Sequence, residues 1–286
     1  LVKCWRINKF KIKLVGISTI MVLISSSIVL WQLWDQPLES PLSALTNFTF
    51  IPTQTSLAKA NSQKIVYGFL PYWNLKSTKI QPELTHLAYF GLKIGPDGYL
   101  MRKNEAGNIE PGYHRLNSDE LSALSQQAAA NNGKLELVLI QFDNQTIEQI
   151  VNSPEAHQNL INSLDSLLLA YPISGINIDI EYTGKADPKL RSNFTVMIKK
   201  INEHLDTKFN DIKLSVDVYA VAVNGDMLWE VGQLADYVDY IIVMAYDFHR
   251  RSSPQAGPVA PLFAGEKAFD LNIHHHLRKF LTQVPK

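Results

Sequence analysis

Six short apolar runs, separated by segments with helical punctuation, constrain the fold of this chain most. They are IVYGFLPYW (65–73), LTHLAYFGLKI (84–94), KLELVLIQF (134–142), ISGINIDIE (173–181), IKLSVDVYA (212–220) and VDYIIVMAYDF (238–248). Each is rich in β-branched, leucine or aromatic residues and is bounded by turn formers, as a buried strand is. Between them, GPDG (95–98) reads as a tight turn. Asn117 followed by Glu120 reads as a capping box that opens a helix to about Asn131. Ser153-Pro154 and Asp187-Pro188 each read as an N-cap and first helical residue, and NIHHHLRKFLTQV (272–284) reads as a last helix. Strands alternating with helices predict a parallel α/β architecture. A doubly wound sheet would carry a glycine-rich first turn, and GFLPYWN is not one. Polar residues cluster instead at the carboxyl ends of strands, which predicts a (β/α)8 TIM-type barrel. Only six of its eight strands are found, so an incomplete barrel is expected, without strands seven and eight. Strands near 65–70 and 238–246 should then be unpaired on their outer sides. With no initial methionine and an end soon after the sixth strand, the sequence reads as a truncated piece of a longer protein. As a fragment it is expected to be poorly soluble and inactive.

The amino terminus carries a different signal. Lys3, Arg6, Lys9, Lys11 and Lys13 precede a stretch without charge from Leu14 to Trp34. That length suits a bilayer span, which takes about 20 apolar residues. The basic residues would stay inside and Trp31 and Trp34 would sit at the far interface. The apolar stretch is long for a signal peptide and no A-x-A site follows, which favours an uncleaved anchor over secretion after cleavage. Residues 1–34 are therefore read as a cytoplasmic basic tail and transmembrane anchor. Residues 35–64, mixed Pro, Ser, Thr, Gln and Asn, read as a linker. Residues 65–286 form the folded domain, exported to the cell surface. Its 27 basic and 27 acidic side chains balance, so no basic surplus points to nucleic acid. The single cysteine, Cys4, can form neither an internal disulfide nor a cysteine-rich metal site.

The fourth run holds the chemistry. Alternate residues of a strand face opposite ways, so Ile176, Ile178 and Ile180 share one face and Asn177, Asp179 and Glu181 the other. Neighbours in the polar series lie about 6.5–7 Å apart along the strand. On a barrel strand the isoleucines would pack under helices and the polar series would climb the interior. Two neighbouring carboxylates disfavour double ionisation, and a carboxyl that keeps its proton near neutrality is a general acid. A hydrogen-bonded polar core at the barrel mouth would use the same residues. A Mg²⁺ site is the lesser alternative, because no third acidic strand end has ligand spacing. Asp217 and Tyr219 share a face of the fifth run and would join the site if that face is inward. The three histidines 274–276 point three ways on a helix and read as surface residues, not as metal ligands. No metal and no cofactor is expected.

These residues carry a resemblance. SGINIDIE resembles the strand-four signature D-G-x-D-x-D-x-E of the family 18 glycoside hydrolases, the chitinase family. VMAYDFH (243–249) is similar to the family's strand-six M-x-Y-D motif. FLPYW resembles its first strand and HLAYFGLKI with the following DG its second. Ser174 and Asn177 stand where the family's first two aspartates usually are. Asn177, together with GPVAPL (257–262), is similar to a bacterial branch that includes spore-cortex and peptidoglycan-acting N-acetylglucosaminidases.

The resemblance implies a retaining, substrate-assisted cleavage of β-1,4 bonds in N-acetylglucosamine-containing polymers, chitin oligomers or peptidoglycan. Glu181 would protonate the leaving oxygen and later activate water. The substrate's own acetamido oxygen would attack the anomeric carbon. Asp179 would hold the acetamido N–H and Tyr246 would hydrogen-bond the acetamido group. Asp247 and Met244 would shape the same subsite, with Asn177 beside them. Tyr72, Trp73, Tyr89 and Phe90 are candidate sugar-stacking residues. With a neutral Asn177 next to it, Asp179 is expected to ionise readily, leaving the shared proton on Glu181. The alternative is a non-catalytic, lectin-like glycan-binding barrel or a surface module with a decayed site. Retention of Glu181 favours the enzyme, because such lectins typically lose the acid.

Overall fold

The computed structural model describes residues 64–104, 106–264 and 270–284. The anchor read over 1–34 and, Lys64 apart, the linker read over 35–64 lie outside them. Among the described residues, no helix is long and apolar enough to cross a membrane.

Six strands form one parallel sheet in sequence order: β1 (Tyr67–Pro71), β2 (His86–Lys93), β3 (Lys134–Gln141), β4 (Gly175–Ile180), β5 (Lys213–Tyr219) and β6 (Tyr240–Met244). Every expected strand is present, each shorter than its run by one to six residues in all. The sheet curls into a half-barrel, so that His86 of β2 and Tyr240 of β6 meet across its interior with ring centroids 6.1 Å apart. As expected of an incomplete barrel, β1 and β6 each pair with one neighbour among the described residues. The consequence is visible in burial. All of β4 is buried, whereas four of the five residues of β6 keep partial exposure.

Helices cover the outer face: α1 (Pro111–Arg115), α2 (Asp119–Ala130), α3 (Asn144–Asn152), α4 (Pro154–Ala170), α5 (Pro188–Lys208), α6 (Val231–Leu234) and α7 (Ile273–Gln283). The core lies between sheet and helices. Leu137, Leu139, Ile176, Ile178 and Val216 point outward into it and meet Ile147, Leu160, Leu164, Phe194 and Ile198. Burying this much aliphatic surface is the main favourable contribution to the fold, about 25 cal/mol for each Å² removed from water. Tyr89 belongs to this layer. It is fully buried and its hydroxyl donates to the Gly112 carbonyl at 2.7 Å, so it does not floor a sugar site.

Caps fix the helix starts. Ser153 Oγ accepts from Ala156 N and Asp187 Oδ1 from Lys189 N, each with proline next in sequence. The cap of α2 is Ser118, not Asn117. Ser118 Oγ accepts from Leu121 N at 3.3 Å, while Asn117 Oδ1 is taken by the Tyr171 hydroxyl at 2.7 Å. The turn at 95–98 closes through Gly98 N to the Gly95 carbonyl, 2.9 Å. Gly98 has φ +85°, and a Cβ there would lie 2.0 Å from the Ala156 carbonyl oxygen, so glycine is required twice over. The histidine run divides. His274 is exposed, but His276 is buried, its Nδ1 2.9 Å from the Asn272 carbonyl, because it shares the inward stripe of α7 with Phe280. The surface reading therefore fails for His276.

Candidate active site

The register across β4 and β5 builds the site. Asn177 lies opposite Ser215, so the inward series Asn177, Asp179, Glu181 runs beside the inward series Ser215, Asp217, Tyr219. β6 adds Met244 opposite Tyr219 and leads directly to Tyr246. Asn177, Asp179, Ser215 and Asp217 are all buried, and Glu181 and Tyr219 are partly exposed at the mouth. The inward orientation that Asp217 and Tyr219 required is thus observed.

Polar contacts tie the two series together. Asn177 Nδ2 donates to Ser215 Oγ at 2.9 Å and to Asp217 Oδ1 at 2.8 Å. The Tyr219 hydroxyl donates to Glu181 Oε2 at 2.6 Å. The Tyr219 ring stands edge-on to the buried Trp229, centroids 5.0 Å apart, which holds the hydroxyl in place. Burial, reinforced by Glu181, pushes the Tyr219 hydroxyl further from ionisation, so it remains a donor. Asp179 Oδ1 and Asn177 Oδ1 are buried and accept no hydrogen bond.

Burial is also the first cause of an elevated Asp179 pKa. With the nearby charges of Asp217 and Glu181 it pushes the carboxyl up to about 8. Asp217 rises to about 7, chiefly by burial, against the stabilising donation from Asn177. The expectation that Asp179 ionises readily is therefore reversed. The like charge that Asn177 does not supply comes from Asp217 on the neighbouring strand. Tyr246 is raised by burial and by Asp179, Glu181 and Asp217, so its hydroxyl shares their field.

Other predicted residues are placed differently. Met244 is buried at the end of β6. Asp247 takes the left-handed conformation, φ +57°, and its Oδ2 lies 3.6 Å from Arg250 Nε. Trp73, 59% exposed, stands edge-on to Phe90 with centroids 6.0 Å apart. Phe90 in turn meets Phe69 edge-on and stacks on Phe142, each at 6.4 Å. This aromatic strip on β1 to β3 includes two exposed residues, Phe69 and Phe142, that the sequence reading passed over. Their inward period-two positions were the available signal. Tyr72 packs edge-on to Trp73 and over Gly91, at the bulge that interrupts β2. Also missed was Gln141, whose side chain donates to the Ile94 carbonyl and accepts from Phe142 N and Asp143 N, framing the mouth. Among the described residues there is no group of three or more His, Cys, Asp or Glu that could hold a metal ion.

Carboxyl groups gathered at the carboxyl end of a barrel strand, beside an open aromatic strip, occupy the place where (β/α)8 enzymes carry their active sites. The model of the glycosyl hydrolases family 18 matches residues 52–285, and the chain belongs to that family. It is 24% identical over 234 residues to YdhD of Bacillus subtilis (strain 168), assigned by its name to the sporulation-specific glycosylases, covering 77% of this chain and 51% of that protein. The solved structure of YdhD superposes with a TM-score of 0.54 at 21% identity, covering 69% of this chain and 59% of that one. A Group IV chitinase of Ostrinia furnacalis superposes with a TM-score of 0.65 at 25% identity, covering 77% of this chain and 63% of that one. The chain thus spans about half the length of YdhD and less than two thirds of the chitinase.

Proposed function

We propose that this protein is a retaining glycosidase that cleaves β-1,4 bonds of N-acetylglucosamine-containing polymers with help from the substrate's acetamido group. The observation that carries the reading is the inward pair Asp179 and Glu181, one buried and held protonated toward neutrality, the other at the mouth and fixed by Tyr219. Glu181 protonates the glycosidic oxygen, and the acetamido oxygen attacks the anomeric carbon. Asp179 takes the acetamido N–H, and Tyr246 hydrogen-bonds the same group. Glu181 then removes a proton from water and configuration is retained. Met244 and Asp247 border this subsite. Trp73, Phe90 and Tyr72 offer flat faces or edges for further sugar units. Family membership and the likeness to a chitinase support a glycosidase acting on such polymers. The basic run and apolar stretch before Trp34 support an anchored domain outside the cytoplasm.

The test uses paired substrates. N-acetylated and de-N-acetylated chitooligosaccharides of equal length are incubated with the protein, and binding is measured beside hydrolysis. Cleavage of the acetylated oligomer alone is expected. Binding without cleavage of either would establish the lectin-like alternative, and equal cleavage of both would remove the acetamido group from the mechanism.

A further inference from the structure

The residue at the second acidic position of the strand-four pattern is an amide, Asn177, and the residue its amide touches on β5 is a carboxylate, Asp217, 2.8 Å away. Both are buried, Asn177 wholly. The flanking inward residues are Ser215, which also accepts from Asn177, and Tyr219, which serves Glu181. A buried carboxylate is costly without a partner, and Asp217 has one in Asn177.

We propose that Asp217, acting through the Asn177 amide, is the positioning residue that keeps the proton on Asp179 before substrate binds. This rests on the reading of Asp179 as a functional group. Asn177 spends both amide hydrogens on Ser215 and Asp217, which turns its carbonyl away from them. That carbonyl oxygen and Asp179 Oδ1 are both buried acceptors without a hydrogen bond, on successive inward positions of β4. A proton on Asp179 turns one of the two acceptors into a donor. The sequence is then carboxyl, amide, carboxylate: Asp179 O–H toward Asn177 Oδ1, and Asn177 Nδ2–H to Asp217 Oδ1. Of the two carboxyls Asp217 ionises first, and as a carboxylate it receives the donation that suits it.

Other groups act on this pair. Glu181 just after β4, Glu136 on β3 and Tyr67 on β1 face it, as do Tyr219 on β5 and Tyr246 after β6. Glu136 is partly answered by the Tyr67 hydroxyl at 2.6 Å and sits with His86 at the barrel floor. Of these acids, Asp217 alone is hydrogen-bonded to Asn177.

The experiment is a carboxyl titration by ¹³C NMR on the full chain labelled in aspartate, with Asp179 assigned from Asp179→Asn. In the native protein the Asp179 midpoint should lie well above the ordinary carboxylate range. Asp217→Asn should lower it by about one pH unit or more. The exchanged pair, Asn177→Asp with Asp217→Asn, restores one amide and one carboxylate and should return the midpoint toward its native value. If Asp217→Asn does not fold, Asn177→Asp alone serves, since a third carboxylate should raise the midpoint further. An Asp179 midpoint unmoved by these changes would overturn the proposal. The readout needs no substrate, so absence of hydrolysis would count against the proposed function without touching this result.

Discussion

The Tyr219 hydroxyl donates to Glu181 Oε2 at 2.6 Å, joining the ends of β5 and β4 across the mouth of the half-barrel. A hydrogen bond to a carboxyl of this kind contributes about 1.5–3 kcal/mol. Tyr219→Phe keeps the ring against Trp229 and removes only the donor. It should lower kcat by roughly 10- to 100-fold with little change in KM, since about 1.4 kcal/mol corresponds to a factor of ten. A kcat within about twofold of the native value would mean that Tyr219 does not orient the acid.

Stability should depend on pH through the buried aspartates. Asp179 and Asp217 have folded pKa values raised to about 8 and about 7, above the ordinary value of 3.8. Burial lowers the pKa of His86, His157 and His276, which oppose the aspartates at acid pH. From about pH 7 to pH 8, where histidine is largely neutral in both states, the aspartates hold more protons in the folded than in the unfolded state, and stability falls as pH rises. Asp143, Asp165 and Asp226 are shifted the other way and weaken the fold only below about pH 4, as they take up protons. Asp143 is exposed and the ion pairs of Asp165 and Asp226 are open to solvent through Lys208 and Lys185, so that is a small effect. Tm measured from pH 7 to 8 should decline, and the double variant Asp179→Asn with Asp217→Asn should flatten the slope. A rising native Tm over this range, or an unchanged slope in the variant, would contradict the assignment.

The start of α2 gives a test of local structure. Ser118→Ala should cost about 1 kcal/mol by removing the acceptor for Leu121 N. Asn117→Ala removes only the acceptor for Tyr171 on an exposed contact and should cost less. Denaturant unfolding of the two variants compares them directly, and the reverse order would return the cap to Asn117.

That cap shows where the sequence stopped being legible. Asn117 and Ser118 are equally good cap residues, and what separates them is Tyr171, 54 positions away. The strands were readable because each is a continuous apolar run closed by turn formers, and the caps at Ser153 and Asp187 because proline follows. The facing of Asn177, Asp179 and Glu181 followed from alternation alone. Their electrostatics did not, because the charge that raises Asp179 sits on β5, and only strand register places Asp217 beside Asn177. Tyr89 and Phe90 show the same limit. They are adjacent and both aromatic, yet one lies in the helix-covered core and the other at the mouth. The two turn-like bridges that follow β2, Ile94 with Leu100 and Lys103 with Ile109, had no clear periodic signal at all.

The proposed anchor makes a cellular prediction. Protease added to intact cells should degrade the domain while leaving a short fragment, with Lys3 to Lys13, protected on the inner side. Full protection of the domain, or its recovery in soluble form without residues 1–34, would exclude an uncleaved anchor.

Glu181→Gln bears most directly on the whole account. The substitution keeps the side chain's shape and removes its transferable proton. On an N-acetylglucosamine oligomer, kcat should fall by about 10²–10⁴-fold while oligomer affinity stays close to native. Near-native kcat in Glu181→Gln would contradict the assignment of Glu181 as the acid, and with it the proposed chemistry.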